Sequence, residues 1–284
     1  VSSPGAPLTA AEAVHLARLA LDGGEPMASV TVIESRGPHA PPPGARVAVW
    51  ASRHAGTLGS AGLDAAAVAL GREALAPDAR VGTREVETGG GVAVLYAEPH
   101  RPPPELVIVG AGHIARPLCR VGAMLGFRVT VLDDRPEFAT RERFPEAAEV
   151  RRADFSDPFA GVRVGAGTHL VLVTRGHKYD FEALRDVLRR PETPAYIGMV
   201  GSRRRTRAAL EQLAREGIDP ARIAAVRAPV GLDVRAETPE EIAVSIAAEM
   251  VLARRGGTGR PLRETERVFE RWVARPGTGT GEGS

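Results

Sequence analysis

The segment Val107–Ala115, VIVGAGHIA, places two glycines and a third small residue between an apolar run and a helix-like stretch. Gly110 permits a tight turn, Gly112 lets a phosphate approach the backbone, and Ala115 lets helix and strand pack closely. A helix opening around His113 and Ile114 turns free N–H groups and its positive dipole end toward an anion. Asp133 stands 23 residues after Gly110, at the end of the next apolar run. There a carboxylate accepts hydrogen bonds from a ribose diol. Asp133 repels a 2′-phosphate, a repulsion that the neighbouring Arg135 softens. The chemistry of this pattern is the holding of a nucleotide or another phosphate ester, and the same turn also occurs as an empty structural element. His113 is read either as a neutral donor at the helix start or as a solvent-facing loop residue.

Three further segments follow apolar runs and converge on the same edge of an open α/β sheet, where ligands sit. THLVLVTRGHKYD ends in Arg175, His177, Lys178 and Asp180. Its structural reading is a helix entry with Asp180 as N-cap. AYIGMVGSRRR brings Gly198, Gly201, Ser202 and the arginines Arg203 to Arg205. Arginines at a helix N-terminus oppose the dipole, so an anion there is expected to compensate them. Gly231-Leu232-Asp233 is a loop able to approach a ligand, ahead of a helix that Thr238, Pro239 and Glu241 begin as a capping box.

Strand–helix alternation positions these residues. LVIVG, RVTVLD, AEVRRAD, HLVLVT and AYIGM are the expected strands, with helices around residues 113–125, 180–189, 202–216 and 239–255. This predicts an α/β fold, a Rossmann-like domain with a parallel sheet over residues 106–256. Ahead of it, residues 1–97 read as a smaller α+β domain. There Thr9 and Glu12 cap a helix, ASVTVIES and RVAVWAS are strands, LDAAAVALGREALA is a helix and REVETGGGVAVLYAEP a hairpin. EPHRPPPE, residues 98–105, is a stiff proline linker, and 257–284 is expected to be a short helix and a flexible tail, GTGTGEGS.

Composition narrows the function classes. The net charge is +2 in 284 residues, which gives no general attraction to nucleic acid. One cysteine, Cys119, excludes a disulfide framework within the chain and any multi-cysteine zinc site, so no metal ligation is expected. It fits a reducing compartment, and a cytoplasmic location is expected. No apolar run reaches the roughly 18 residues of a membrane span, and no signal peptide is visible.

In this order and spacing, GAGHIARPL, DDRPEF, TRGHKYD, YIGMVGSRRR and GLDVRAETPEEIAVSIAAE resemble the XdhC/CoxI family, accessory factors of molybdenum hydroxylases such as xanthine dehydrogenase and carbon monoxide dehydrogenase. The likeness spans residues 106–255 and continues more weakly into the first domain. It implies a maturation factor or chaperone, with a function outside redox catalysis, that binds the molybdenum cofactor, molybdopterin or its cytosine dinucleotide form. It implies help with sulfuration of the metal and insertion of the cofactor. The implied partners are a molybdenum hydroxylase and a cysteine-desulfurase-like sulfur donor, and a homodimer is expected. The chain departs from the family pattern at Gly62, where a cysteine is common, at Gly37–Pro41, where a Ser and an Arg are lost, and at Arg235, where a small residue is common.

Two alternatives stay open: an NAD(P)-binding oxidoreductase, and a nucleotide-binding scaffold without activity. The oxidoreductase lacks a Tyr-x-x-x-Lys pair, because Ala183 follows Tyr179 at that spacing, and only His113 or His177 is left as an acid.

Overall fold

A computed structural model describes residues 6–76, 79, 82–154 and 156–266; the expected tail GTGTGEGS lies outside them. The first domain contains α1 (Ala10–Leu21), β1 (Met27–Arg36), β2 (Arg46–Val49), β3 (His54–Ala55), α2 (Ala61–Ala74), β4 (Thr83–Thr88) and β5 (Gly91–His100). Its five strands form an antiparallel sheet in the order β3-β2-β1-β5-β4. Strand alternation sends Val30, Val32, Val47 and Val49 to one face under Leu63, Ala67 and Leu70 of α2. Met27 and Ala48 point to the other face, under Ala13 and Ala20 of α1. The capping box of α1 forms as expected, with the Thr9 hydroxyl accepting from the Glu12 amide and the Glu12 carboxylate accepting from the Thr9 amide.

The linker is shorter than 98–105. β5 pairs with β1 out to His100, and the next strand begins at Glu105. Pro99 is tolerated in the strand because β4 ends its pairing with β5 at Tyr96, so no second neighbour needs the missing N–H. Only Arg101 and three prolines remain outside strands.

The second domain contains β6 (Glu105–Val109), α3 (Ala115–Met124), β7 (Arg128–Asp133), β8 (Glu149–Arg152), β9 (Thr168–Leu172), α4 (His177–Arg189), β10 (Tyr196–Met199), α5 (Arg203–Arg215), α6 (Pro220–Ala224), β11 (Val226–Arg227) and α7 (Pro239–Arg255); α8 (Leu262–Glu266) follows. All five strand pairings are parallel, in the order β11-β10-β9-β6-β7-β8. Counted from β6, this is the doubly wound order 3-2-1-4-5-6, whose direction of winding reverses between β6 and β9. Leu106, Ile108, Val129, Val131 and Val171 pack on α3 and α7. Val107, Val109, Leu170, Leu172 and Met199 pack on α4 and α5. Both faces are covered, which is why β6, β7, β9 and β10 read as largely apolar runs, whereas β8, EVRR at the sheet edge, does not. The β7–β8 crossover carries no helix; Phe144, fully buried, anchors it to the α3 face.

At the amino-terminal edge of this sheet, the linker prolines and the Gly23–Gly24 turn border a cleft of about 960 Å³. His169 lies in its wall, 4% exposed, stacked on Tyr196 with ring centroids 5.8 Å apart. Burial, reinforced by the Arg254 charge and opposed by a backbone hydrogen bond at Gly167, pushes its pKa down to about 4. The folded protein therefore holds His169 neutral, whereas the unfolded chain takes up a proton near pH 6.5. Stability from this group is complete above pH 6.5 and is lost as the pH falls toward 4, by roughly 3 kcal/mol in all. Thermal unfolding between pH 6.5 and 4 is expected to fall more steeply for the wild type than for His169→Gln.

The two glycines of the β6–α3 turn differ in what they demand. Gly110 has φ +105°, and an added Cβ lies 2.7 Å from the Val173 carbonyl oxygen. At Gly112 an added Cβ meets nothing within 4 Å, and φ is ordinary. Chemical denaturation is expected to show Gly110→Ala losing about 2 kcal/mol or more, and Gly112→Ala unchanged or stabilised by about 0.5 kcal/mol.

Candidate functional site

Gly110 turns the chain sharply off β6 because β9 runs alongside; its N–H donates to Leu132 O at 2.7 Å. Helix α3 then starts with Ile114 at its N-cap, without a side-chain cap and with no acid in its first turn. The amides of Gly112, His113 and Ile114 donate to no backbone or side-chain acceptor among the described residues. His113 is exposed and Gly112 half-buried. Across the reversal point, α4 begins at His177 with Gly176 as N-cap, again without a side-chain cap. Two helix N-termini whose N-cap residues make no side-chain cap thus follow the adjacent strands β6 and β9. Such ends carry partial positive charge and bind anions.

Asp133, the last residue of β7, is 2% exposed. Its Oδ2 accepts from the Ala111 amide at 2.6 Å and from Arg135 Nη2 at 2.8 Å; its Oδ1 accepts from Arg135 Nε at 2.8 Å and from the Arg135 amide at 3.0 Å. Burial alone raises this carboxyl, but the hydrogen bonds from Arg135 and Ala111 outweigh it and hold the pKa below the usual carboxylate range. The Arg135 guanidinium lies 3.6 Å from the centre of the Phe138 ring. Arg143 packs on the same ring at 4.6 Å and donates to Ala111 O at 3.3 Å. The sequence shows no sign of a role for Arg143, and Phe138 stands in the DDRPEF motif without one; both lie in the helix-free crossover between β7 and β8.

After β9, Arg175 donates to Asp134 Oδ2 and to the Tyr179 hydroxyl at 2.8 and 2.9 Å. β6 lies between β9 and β7, so the Arg175–Asp134 pair crosses from one flank of the glycine turn to the other. Asp180 is not the N-cap of α4. The helix starts three residues earlier, and Asp180, fully buried, takes Arg205 as its ion partner and the Thr174 hydroxyl as a donor. A single N-cap bond is a smaller gain than a buried charge pair with a second hydrogen bond.

After β10, Ser202 caps α5 by accepting from the Arg205 amide at 3.4 Å. Arg205 is matched by Asp180, whereas Arg203 and Arg204 are exposed and make no ion pair among the described residues. Gly201 precedes the cap with its Cβ position in ordinary contact with Thr206. Gly198 lies inside β10, where Val230 and Tyr196 occupy the space a Cβ would need. Gly231 and Leu232 are tied to α7: Gly231 N donates to Glu249 Oε2, and Ser245 Oγ donates to Leu232 O at 2.6 Å. Among the candidate residues, Gly112, His113, Ile114, Arg175, His177, Ser202 and Arg203 lie on three consecutive strand ends, β6, β9 and β10. Asp133 and Arg135 close on each other beside them. Beyond β7 and β8, Asp134, Arg152, Lys178, Tyr179 and Glu182 border a cavity of about 710 Å³.

Two departures in the sequence acquire a geometry. Arg235 has φ +56°, the one non-glycine residue in the left-handed region among the described residues, a conformation that glycine adopts without steric cost. Gly62 lies exposed in the first turn of α2, with nothing within 4 Å of a built Cβ, so a cysteine side chain would project into open space.

Residues 106–250 match the family model described as the XdhC Rossmann domain, and residues 20–86 match that of the XdhC and CoxI family. The chain is 32% identical over 171 residues to the uncharacterized protein YqeB of Escherichia coli strain K12, covering 60% of this chain and 31% of that protein. It is 31% identical over 161 residues to a probable xanthine dehydrogenase subunit of Bacillus subtilis strain 168, covering 57% of this chain and 46% of that protein. The aligned part is thus under half the length of either relative. A solved structure described as a xanthine dehydrogenase from Bacillus halodurans matches with a TM-score of 0.52 at 19% identity, over 88% of this chain and 98% of that one, a likeness of fold. The glycine turn with its acid, the doubly wound sheet and both family models agree: the chain belongs to the XdhC and CoxI family.

Proposed function

We propose that this protein is an accessory factor for a molybdenum hydroxylase of the xanthine dehydrogenase type, and that it holds the phosphate end of the molybdenum cofactor at the carboxyl edge of the parallel sheet. The observation that carries this reading is the pair of side-chain-uncapped helix N-termini at the reversal point, with open space at Gly112. A phosphate ester needs N–H donors at close range and no carboxylate competing for them. The amides of Gly112, His113 and Ile114 meet that need, because Asp133 is already turned onto Ala111 and Arg135. Arg203 and Arg204 add charge from the neighbouring strand end. When bound, the cofactor supplies the molybdenum centre that the hydroxylase requires. The work of this chain is to bind, orient and release it.

Sulfuration fits a division of labour. Cys119 is fully buried in α3, and burial, with the Glu146 charge, raises its pKa to about 11. A thiol in that state is not a nucleophile at neutral pH. Gly62 offers no sulfur either. In this reading the sulfur comes from a separate cysteine-desulfurase-like donor, while this chain presents the cofactor. The likeness to a protein named as a probable xanthine dehydrogenase subunit supports the choice of partner.

Incubating the purified protein with molybdenum cofactor, and measuring retained pterin by fluorescence after gel filtration, tests the reading. Stoichiometric retention is expected, falling at least tenfold in Gly112→Trp with the fold intact by circular dichroism. Absence of retention, or equal retention by the variant, refutes it. A thiol-reactive dye is expected to leave native Cys119 unlabelled and to label one thiol per chain in denaturant.

A further inference from the structure

We infer that the site takes a phosphate monoester and is closed to the 2′,3′-diol of a nucleotide ribose, because Arg135 occupies the carboxylate that would read that diol. This rests on the phosphate-binding reading above and specifies how the guest is recognised: through its phosphate, with nothing contributed by a ribose diol.

An acid at the end of the second strand reads ribose by accepting hydrogen bonds from its hydroxyls. A carboxylate offers about four lone-pair sites. In Asp133 four N–H donors fill them: the Ala111 amide, the Arg135 amide, and Nε and Nη2 of Arg135. At 2% exposure the carboxylate also presents no surface to a ligand. The next residue provides no substitute. The Asp134 carboxylate is joined to Arg175 at 2.8 Å, and that pair spans the flanks of the glycine turn.

Arg135 is held in place from both sides. Its guanidinium makes two hydrogen bonds to Asp133 and lies on the Phe138 ring, which Arg143 also touches. Moving it away strands a buried carboxylate without its charge partner, the costly half of breaking a buried pair. A ribose diol, being neutral, does not replace that charge. A phosphate monoester asks nothing of Asp133. It needs the amides after Gly112, which remain open.

The test is a binding series by calorimetry on the whole chain with phenyl phosphate, adenosine 5′-phosphate and its 2′,3′-dideoxy analogue. The two nucleotides are expected to bind within twofold of each other. In Arg135→Ala, which opens Asp133, the diol-bearing nucleotide is expected to gain at least fivefold over the dideoxy form. A wild-type preference for the diol above fivefold overturns the inference while leaving the phosphate-binding reading intact. So does a folded Arg135→Ala protein that still fails to discriminate. If phenyl phosphate and both nucleotides fail to bind, the phosphate-binding reading falls and takes the inference with it. Should Arg135→Ala not fold, the wild-type ratio alone decides.

Discussion

The hydrogen bond from the Ala111 amide to Asp133 governs the carboxyl edge of the second domain. It joins the glycine turn after β6 to the end of β7 and fixes the direction in which the following amides point. Its acceptor is a buried anion, so it is stronger than a neutral bond and costly to leave unmade. Arg135 neutralises that anion, and Phe138 seats Arg135. The chain of contacts that sets the shape of the turn is therefore self-contained, and the open amides are those that it leaves over.

The sheet makes such a turn possible. Parallel strands buried on both faces place their loops at two edges, and the reversal of winding between β6 and β9 separates the loops at one edge. Helices α3 and α4 leave on opposite faces, their cores being the separate apolar clusters on either side of the sheet. Their N-termini thus come to neighbouring strand ends from two sides. Neither has a side-chain cap, whereas α1, α2, α5, α6 and α7 do. A helix end without a cap tolerates an incoming anion better than one whose donors a serine or aspartate has already taken.

What the sequence made legible was local or periodic. Four strands of the second domain, β6, β7, β9 and β10, are largely apolar runs because both faces are covered, and the capping boxes at Thr9–Glu12 and Thr238–Glu241 involve residues three apart. The glycine turn was readable because φ +105° at Gly110 and the nearby Val173 carbonyl forbid a side chain. The long-range side-chain contacts were not. Asp133 meets Ala111 across 22 residues, Arg205 meets Asp180 across 25, and Arg143 meets Ala111 across 32. Such side-chain bonds depend on which strand ends become neighbours, and no periodicity encodes them. That is why Asp180 read as a cap; Asp133 read as an open ribose reader because residue spacing alone does not show the Arg135 side chain folding back onto it. The two-residue strands β3 and β11 lack the length to carry a pattern at all.

The arginines at this edge fall into two groups with different physical roles. Arg175 and Arg205 each pair with an aspartate of a neighbouring strand-end loop or helix start, tying β9 to β7 and β10 to β9, while Arg135 closes on Asp133 at the end of its own strand β7. Arg203 and Arg204 have no such partner among the described residues and stand at the positive end of α5. A cation there costs about 0.3–1 kcal/mol, while the Ser202 cap returns about 1 kcal/mol. The start of α5 is thus near balance in the free protein, and an arriving anion shifts it only one way. Of the arginines at this edge, the matched set makes the geometry, and in the proposed reading this unmatched pair supplies the attraction. In the proposed reading, and in a protein of net charge +2, any pull on an anionic guest is local to the strand ends and not a property of the whole surface.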